Sequence, residues 1–338
     1  MNVPAKPNIL LIRLKSIGDI VFTLPAACAV REAFPEGRIS YLVSKEYAPL
    51  LEGFRCVDAV LGLDRARLRR PNPVVILREM FSLLGQLRRS RFSLAVDFQG
   101  YGETALLARW SGAPQRWGTV YRGGRGWAYT RGVRRDPASH PAEDFLSLVR
   151  ACGLRPGRIR NHFSLPDGAV EEARRLFVDW GLNAMRPTLF IQPFTSSPQK
   201  DWPLDRYLAV AGLWQGRGWQ VIFGGGPAER DVLEPVRQAG FPVAAGASLL
   251  TVAGLTKLSA LVLGSNTGLL HMAVAMGKRV LMLMDSTGPG SACPFQHHDW
   301  ALAPANGQPV AAITTEAVTA ACERVAAELG VSSEARTR

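Results

Sequence analysis

The sequence has few of the signals that mark a disulfide scaffold or a metal site. Its five cysteines contain no C-x-x-C pair, and an odd, scattered set of this kind is typical of buried, reduced thiols. They are Cys28, Cys56, Cys152, Cys293 and Cys322. Of the five histidines, His297 and His298 are adjacent, so they do not share a helical face. We therefore expect neither a metal site nor a disulfide framework.

The sequence also lacks a secretory signal and a clear membrane span. Its apolar start, residues 9–12, is interrupted at once by Arg13 and Lys15. The only long stretch without charge, residues 258–277, contains the turn-forming segment 264–268, so a strand, a turn and a helix explain it better. We expect a cytoplasmic protein without a spanning segment.

What the chain does have is an uneven positive charge. Its 338 residues predict two domains, and its 47% hydrophobic and 20% charged residues are ordinary for globular proteins. The net charge is +12 and the isoelectric point is near 10.0. Residues 1–165 carry 26 basic and 13 acidic side chains, whereas residues 166–338 carry 14 and 15. The first half is therefore expected to meet a polyanion, such as a nucleic acid, an anionic membrane or an acidic ligand.

The hydrophobic pattern alternates between strand and helix signals in both halves. In the first half, strands are predicted at 8–13, 38–43, 59–61 and 94–97, and helices at 19–33, 73–89 and 103–110. In the second half, strands are predicted at 188–192, 219–223, 260–263 and 279–284, and helices at 204–215, 229–239, 269–276 and 316–329.

This alternation predicts an α/β fold of two doubly wound, parallel-sheet domains that face each other across a cleft. We expect the domains to cover residues 1–165 and 186–330, with a linker near 165–187. For the last predicted helix, 316–329, packing back on the first domain is an option that we expect the fold to allow. Ligands of such sheets bind at the carboxyl ends of the strands, so the loops there are the candidate sites.

The loop after the first strand, residues 14–19, contains one glycine and ends in a carboxylate. It lacks the G-x-G-x-x-G pattern of dinucleotide-binding domains, which disfavours a dehydrogenase. Asp19 stands at a predicted helix N-terminus. It either caps that helix or serves as a general base.

Three loops of the second half contain groups that suit a nucleotide. Thr195, Ser196 and Lys200 cluster before a helix and can hold phosphate, although the P-loop pattern is absent. Residues 224–229 are three glycines, Pro, Ala and Glu229. They form either a tight turn or a close approach to a ligand, in which Glu229 accepts from ribose hydroxyls.

The third of these loops follows the predicted strand at 260–263. The amides of Thr267 and Gly268 can bind an anion at a helix N-terminus, and Asn266 stands just before them. His271 lies on the same helical face as Thr267, either as a structural residue or as part of the site.

Residues 115–135 form a basic, aromatic segment without an acidic side chain. Its six arginines include Arg116, Arg122 and Arg125, and two Trp and two Tyr residues lie between them. Such a segment is either a solvated loop or a surface that binds phosphate, carboxylate and sugar, and single-stranded nucleic acid would use the same groups. A nucleotide-suited second half opposite a basic first half indicates group transfer from a nucleotide donor.

The motifs at 14–25, 195–203, 224–229 and 266–271 resemble, in the same order, those of the glycosyltransferase family 9 heptosyltransferases. The resemblance spans residues 8–330. It implies a two-domain GT-B fold and inverting transfer of L-glycero-D-manno-heptose from an ADP-linked donor to the Kdo/heptose inner core of lipopolysaccharide.

The resemblance also implies a role for each motif residue. Asp19 would be the general base, and Thr195, Ser196 and Lys200 would hold the diphosphate and stabilise the leaving group. Glu229 would contact the ribose. Thr267 and Gly268 would hold phosphate through their amides. His271 would support the loop that contains them. No metal or other cofactor is then needed, because Lys200 and the amides offset the charge.

Two points remain open from the sequence. The family usually has an acidic residue where this chain has Asn266, so a hexose or N-acetylhexosamine donor is an alternative. Arg116, Arg122 and Arg125 are expected to bind the acceptor, an anionic glycolipid of the lipid A–Kdo type at the inner face of the cytoplasmic membrane. A nucleic-acid-binding module is the more distant alternative, and we expect no nucleic acid partner.

Overall fold

The computed structural model describes residues 4, 6–68, 73–121, 123–305 and 307–330, without the side chain of Arg125. The chain divides into two compact units, Met1–Ser164 and Leu165–Arg338. Because of this boundary, the unequal charges of the two halves belong to two separate units, a basic one and a nearly neutral one.

The first unit is built on a parallel sheet of six strands in the order β3-β2-β1-β4-β5-β6. The strands are β1 (Asn8–Ile12), β2 (Arg38–Ser44), β3 (Ala59–Leu63), β4 (Leu94–Asp97), β5 (Gln115–Val120) and β6 (Arg131–Arg134). The central strand β1 pairs with β2 and β4, and its residues 9–12 are fully buried, as expected for a parallel sheet covered on both faces.

Six α-helices of the first unit are described: α1 (Ile17–Phe22), α2 (Leu24–Ala33), α3 (Arg65–Leu68), α4 (Pro73–Arg89), α5 (Gly102–Trp110) and α6 (Pro141–Ala151). Two 3₁₀ segments, Lys45–Gly53 and Gly123–Ala128, complete it. The helix predicted at 19–33 is two helices, because Pro25 has no N–H to continue the hydrogen-bond ladder of α1. The prediction missed α6.

The second unit repeats the same strand order in its own numbering, β12-β11-β10-β7-β8-β9. Its strands are β7 (Thr188–Gln192), β8 (Gln220–Gly225), β9 (Val243–Ala245), β10 (Leu261–Ser265), β11 (Val280–Leu283) and β12 (Ala301–Leu302). Its α-helices are α7 (Asp167–Asp179), α8 (Leu204–Gly216), α9 (Glu234–Gln238), α10 (Leu249–Leu258), α11 (Gly268–Ala275) and α12 (Thr315–Glu328).

Two expectations for the second unit are wrong. The helix predicted at 229–239 is a 3₁₀ turn, Pro227–Glu229, and the short α9, because Pro235 interrupts a continuous ladder. The linker expected at 165–187 contains α7, which packs against α10 so closely that a Cβ on Gly254 would lie 2.7 Å from Ala173 Cβ.

The last helix, α12, contributes its buried side chains to the core of the second unit. Val318, Ala321, Cys322 and Val325 belong to the same cluster as the sheet residues of β7 and β8. Among the described residues, no helix has the length and apolar character needed to cross a bilayer.

In each sheet, the strand order reverses once along the chain, between β1 and β4 in the first and between β7 and β10 in the second. Loops at the carboxyl ends of these strands flank the crevice where doubly wound sheets bind ligands. Asp19 follows β1, Thr195 to Lys200 follow β7, and Asn266 follows β10. The fold therefore puts these three sequence motifs at the ligand-binding positions of their own sheets.

Candidate active site

Asp19 lies in the first turn of α1 and is held by one of its two carboxylate oxygens. The N-cap of the helix is Ser16, whose amide and hydroxyl bond to Asp19 Oδ2 at 3.3 and 3.0 Å. Arg13 Nη2 lies 2.7 Å from the same oxygen. Oδ1 accepts no hydrogen bond from the described residues, and the side chain is 37% exposed. Asp19 thus takes part in a capping box while it keeps one oxygen open to a ligand.

Arg13 is a buried cation beneath Asp19, and the sequence analysis did not assign it to the site. Its guanidinium also donates to the carbonyls of Lys15 at 2.8 Å and Phe98 at 3.3 Å, and it lies over the ring of Phe145. Burial is the largest influence and acts to lower the pKa of Arg13, but the charge and hydrogen bond of Asp19, together with Tyr121 and Tyr41, outweigh it and raise the net pKa. In the sequence, the signal for this role of Arg13 was its position directly after four consecutive apolar residues.

The end of β4 forms a rigid support next to this ion pair. Asp97 is fully buried and accepts from the amides of Gln99 and Gly100 at 2.8 and 3.0 Å and from the hydroxyl of Tyr129 at 2.7 Å. Burial raises the pKa of Asp97, and these hydrogen bonds oppose the shift. Gln99 Oε1 accepts from the amide of Leu14 at 2.9 Å, which fixes the β4 loop to the β1 loop.

Aromatic side chains surround the same edge of the first sheet. The rings of Tyr101 and Tyr121 are 5.6 Å apart, and Arg135 lies over Tyr121 at 5.3 Å. Trp127 is exposed, whereas Trp117 and Tyr129 are buried in the core. The segment 115–135 is therefore two strands joined by a 3₁₀ turn rather than a solvated loop, because half of its aromatic residues are needed in the core.

Of the three arginines expected to bind the acceptor, the structure describes the side chain of Arg116. Arg116 donates from Nη1 to Ala113 O at 2.6 Å and from Nε to Ala128 O at 2.9 Å, so it stabilises the connection from β5 to β6. Arg122 and the side chain of Arg125 lie outside the described residues. Acceptor binding by these three arginines stays a prediction. The hydrogen bonds of Arg116 also give it a role in stabilising the fold.

In the second unit, the loop after β7 is braced by its own side chains. Thr195 N donates to Asp201 Oδ1 at 2.7 Å, and Thr195 Oγ1 donates to Ser197 O at 2.8 Å while it accepts from Ser197 N. Ser196 and Lys200 are exposed. Of the predicted phosphate ligands, these two are the side chains free to reach a ligand, whereas the Thr195 hydroxyl holds the loop in shape.

This loop is joined to the end of β10. The amide of Trp202 donates to Ser265 Oγ at 3.2 Å, and Tyr207 Oη lies 3.1 Å from the same hydroxyl. Trp202 is buried, and its indole donates to Ile313 O at 2.8 Å. The two phosphate-suited loops of the second unit are therefore neighbours in a fixed arrangement.

The loop 224–229 owes its glycines to close contacts within the protein. A Cβ on Gly224 would lie 2.5 Å from Phe190 Cζ, and one on Gly225 would lie 2.5 Å from Leu233 Cδ1. Glu229 Oε2 accepts a hydrogen bond from the amide of Gly226, while Oε1 has no partner among the described residues. The tight-turn interpretation explains the glycines, and one oxygen of Glu229 is left for a ligand.

The loop after β10 presents open amides at the start of α11. Asn266 N donates to Leu283 O, whereas the amides of Thr267 and Gly268 reach no acceptor among the described residues. His271 is buried, and its Nε2 lies 2.9 Å from Asn266 Oδ1. His271 thus positions Asn266. When its Nε2 carries the proton, the Asn266 side chain offers its amide hydrogens to a ligand.

Comparison with known proteins identifies the family of the chain. Residues 80–315 match the model of glycosyltransferase family 9 (heptosyltransferase). The chain belongs to glycosyltransferase family 9. It is 22% identical over 304 residues to the lipopolysaccharide core heptosyltransferase OpsX of Haemophilus influenzae, covering 87% of this chain and 84% of the relative. It is 26% identical over 309 residues to lipopolysaccharide heptosyltransferase 1 of Pseudomonas aeruginosa, covering 84% and 80%.

Solved structures of family 9 proteins share the fold. A family 9 glycosyltransferase from Veillonella parvula superposes with a TM-score of 0.85 at 19% identity, covering 95% of this chain and 97% of that one. The Escherichia coli heptosyltransferase WaaC with ADP-2-deoxy-2-fluoro heptose gives 0.75 at 19% identity, covering 94% and 99%. The predicted family, the enzyme class and the doubly wound parallel sheets are confirmed.

The arrangement in this family 9 glycosyltransferase divides the chemical groups between the two units. The basic unit holds a carboxylate with an open oxygen, and the second unit holds Ser196, Lys200 and two open amides, groups that favour an anion. Among the described residues, no three His, Cys, Asp or Glu side chains cluster to hold a metal ion.

Proposed function

We propose that this glycosyltransferase transfers heptose, with inversion, from ADP-L-glycero-D-manno-heptose to the Kdo/heptose inner core of lipopolysaccharide. The observation that carries the proposal is Asp19, a carboxylate fixed by Arg13 through Oδ2 and open at Oδ1. Relatives named as lipopolysaccharide heptosyltransferases and a similar structure that holds an ADP-heptose analogue support the choice of substrates.

In this mechanism, Asp19 Oδ1 accepts the proton of the acceptor hydroxyl. The acceptor oxygen forms a bond to the anomeric carbon from the face opposite the diphosphate, and the bond from that carbon to the phosphate oxygen breaks. The electron pair of the broken bond leaves with ADP. A carboxylate in this position contributes about 10²–10⁴-fold to the rate.

The second unit stabilises the charge that develops on the leaving ADP. Lys200 supplies a positive charge, Ser196 a hydroxyl, and Thr267 and Gly268 their amides. Donors that are already in place stabilise a developing anion without reorganisation, which lowers the barrier. Glu229 is proposed to accept from the ribose hydroxyls through Oε1.

The acceptor side of the reaction is assigned to the first unit. Its 26 basic and 13 acidic side chains attract a phosphorylated, carboxylate-bearing glycolipid of the lipid A–Kdo type. We propose that the enzyme works in the cytoplasm at the inner face of the membrane, with Arg116, Arg122 and Arg125 on the acceptor side.

Asn266 favours a second candidate, a family 9 transferase that uses a hexose or N-acetylhexosamine donor for a cell-surface glycan. Its Oδ1 is engaged by His271, so the group left for the sugar is an amide donor where the family usually has a carboxylate. A donor and an acceptor select different sugar groups at that point.

A panel of nucleotide sugars separates the two candidates. We expect ADP and ADP-heptose to raise the melting temperature of the enzyme and UDP-linked sugars to leave it unchanged. Transfer from ADP-heptose to a Kdo-containing acceptor, followed by assignment of the anomeric configuration by NMR, then tests the reaction. Stabilisation by UDP-hexoses or UDP-N-acetylhexosamines, without a response to ADP, would favour the second candidate.

A further inference from the structure

Helix α4 is apolar on two opposite sides. On its inner side, Leu83 and Leu87 are buried in the core of the first unit. On its outer side, Val74, Leu77 and Phe81 are 72%, 55% and 70% exposed. Their spacing of three and four residues places them in one row along the helix. We call this row of three the α4 stripe.

Such a stripe differs from the scattered apolar residues found on every protein surface. Single exposed apolar side chains are normal, whereas adjacent ones in a row mark an interaction site. Of the exposed large apolar side chains among the described residues, three lie in this one helix of 17 residues. Phe81, at the C-terminal end of the row, exposes 70% of its surface to solvent.

Uncompensated positive charge flanks the α4 stripe. Residues 65–91 contain eight arginines and a single acidic residue, Glu79. Glu79 pairs with Arg67 at 2.8 Å, and Arg65 pairs with Glu103. In contrast, Arg78 and Arg89 are exposed and have no acidic partner among the described residues. At 100° per residue, Arg78 and Arg89 lie beside the stripe rather than opposite it.

We propose that the α4 stripe, with Arg78 and Arg89, docks on an anionic lipid bilayer. An amphipathic helix with an apolar row and flanking arginines lies in the plane of the membrane interface. Its apolar side chains enter the acyl boundary, and its guanidinium groups bind the lipid phosphates. The inference rests on the proposed function in one respect, that a lipid-anchored acceptor requires the enzyme at a membrane.

The charges favour a bilayer over a second copy of the chain. A symmetric dimer through the α4 stripe would bring Arg78 and Arg89 of two copies together, and such like charges repel each other. The whole unit adds to this effect, since it carries a net charge of +13. These same positive charges instead strengthen the attraction of the first unit to an anionic bilayer.

The test is flotation of the full-length enzyme with vesicles of phosphatidylcholine, with and without phosphatidylglycerol. We expect binding to the anionic vesicles that weakens as salt is raised. Leu77→Ser/Phe81→Ser should reduce the binding about tenfold or more, because the apolar anchors are lost. Arg78→Gln/Arg89→Gln should reduce it by a similar factor, because two positive charges are lost.

A matched control exists in the second unit. Val178 and Met185 are 74% and 90% exposed, so Val178→Ser/Met185→Ser removes a similar exposed apolar area outside α4. This variant should bind vesicles like the unaltered enzyme. Circular dichroism melting of every variant checks the fold, and the arginine variant tests the surface independently if the serine variant does not fold.

Three results would each contradict the proposal that the α4 stripe docks on a bilayer. The enzyme could fail to bind anionic vesicles, or it could bind neutral and anionic vesicles equally. Both α4 variants could also bind as well as the unaltered enzyme. A dimer in solution that dissociates in Leu77→Ser/Phe81→Ser would assign the stripe to a second copy instead.

The proposed function is tested separately with a deacylated, water-soluble acceptor in the absence of vesicles. The α4 variants should transfer heptose to it at the rate of the unaltered enzyme, since no α4 residue is placed among the reacting groups. Vesicle binding without any heptose transfer would contradict the proposed function and leave the docking surface standing. Transfer without vesicle binding would do the opposite.

Discussion

The Nη2 atom of Arg13 lies 2.7 Å from Oδ2 of Asp19, and the two groups differ sharply in exposure. The guanidinium is buried and bonded to two backbone carbonyls, whereas the carboxylate is 37% exposed. A fixed cation therefore holds one oxygen of a carboxylate whose other oxygen accepts no hydrogen bond from the described residues. This asymmetry leads to the first two predictions.

Asp19→Asn should strongly slow transfer and keep donor binding. The amide cannot accept the proton of the acceptor hydroxyl, so kcat is expected to fall by about 10²–10⁴-fold. ADP affinity, measured by calorimetry, should stay unchanged because the phosphate groups are assigned to the second unit. Asp179→Asn on the exposed side of α7 is the matched control and should keep full activity. A fully active Asp19→Asn enzyme would remove Asp19 from the mechanism.

Arg13→Leu should lower kcat while leaving the KM for the nucleotide sugar nearly unchanged. The substitution removes the cation that fixes Oδ2, so Asp19 spends less time in the reactive orientation, and we expect a loss of about 10–10²-fold. Arg13→Lys keeps the charge but not the planar fork, so it should restore part of the rate. Steady-state kinetics of the three enzymes checks this, and equal activity of Arg13→Leu would contradict a positioning role.

Asn266→Asp should change which donor sugar is preferred. The substitution replaces the amide hydrogens with a second acceptor oxygen, while the contact with His271 Nε2 can persist. The ratio of kcat/KM for two sugars on the same nucleotide should shift by about tenfold, as expected for one gained or lost hydrogen bond. The affinity for ADP itself is the internal control, and an unchanged ratio would separate Asn266 from sugar selection.

Tyr129→Phe should destabilise the first unit by about 1–3 kcal/mol, because a buried oxygen of Asp97 then loses its hydroxyl donor. Urea denaturation monitored by circular dichroism measures the change. Tyr101→Phe removes the hydroxyl of an exposed tyrosine and should have little effect on the free energy of unfolding. An unaffected Tyr129→Phe enzyme would show that Asp97 does not depend on this donor.

Cys28 should be the first of the five cysteines to react with iodoacetamide as the pH is raised. A hydrogen bond from the Cys56 thiol lowers the pKa of Cys28, whereas burial raises the pKa of Cys152 and Cys322 to about 12. The labelling rate follows the thiolate fraction, so it rises at lower pH for Cys28. Cys56→Ala should move this rise to higher pH, as read by mass spectrometry of the labelled peptides.

The site motifs could be predicted from the sequence because each follows a buried, apolar strand. Periodicity identified β1, β7 and β10, and the carboxyl ends of parallel strands then placed Asp19, Lys200 and Asn266 at ligand-binding positions. The order of four short motifs then indicated the family and the roles of the motif residues. These features depend on local pattern, which a single sequence contains.

Other features depend on contacts between distant residues, which local pattern does not contain. The buried position of Arg13 depends on the carbonyl of Phe98 and the ring of Phe145, which lie far along the chain. Arg116 is held by the carbonyl of Ala113, before β5, and by that of Ala128, at the end of the 3₁₀ turn, in a segment whose sequence also suits a solvated loop. The side chains of Phe190 and Leu233 leave no room for a Cβ at positions 224 and 225.

The two sheets share one strand order, and this equivalence has a consequence for how the enzyme could be altered. The loop that contains Asp19 and the loop that contains Lys200 each follow the first strand of their own sheet, so they are counterparts in the topology. In the proposed mechanism, one counterpart holds the proton acceptor and the other holds the groups that stabilise the departing anion. Because each loop is braced within its own unit, sugar preference and acceptor preference should be exchangeable one unit at a time, as in a modular enzyme.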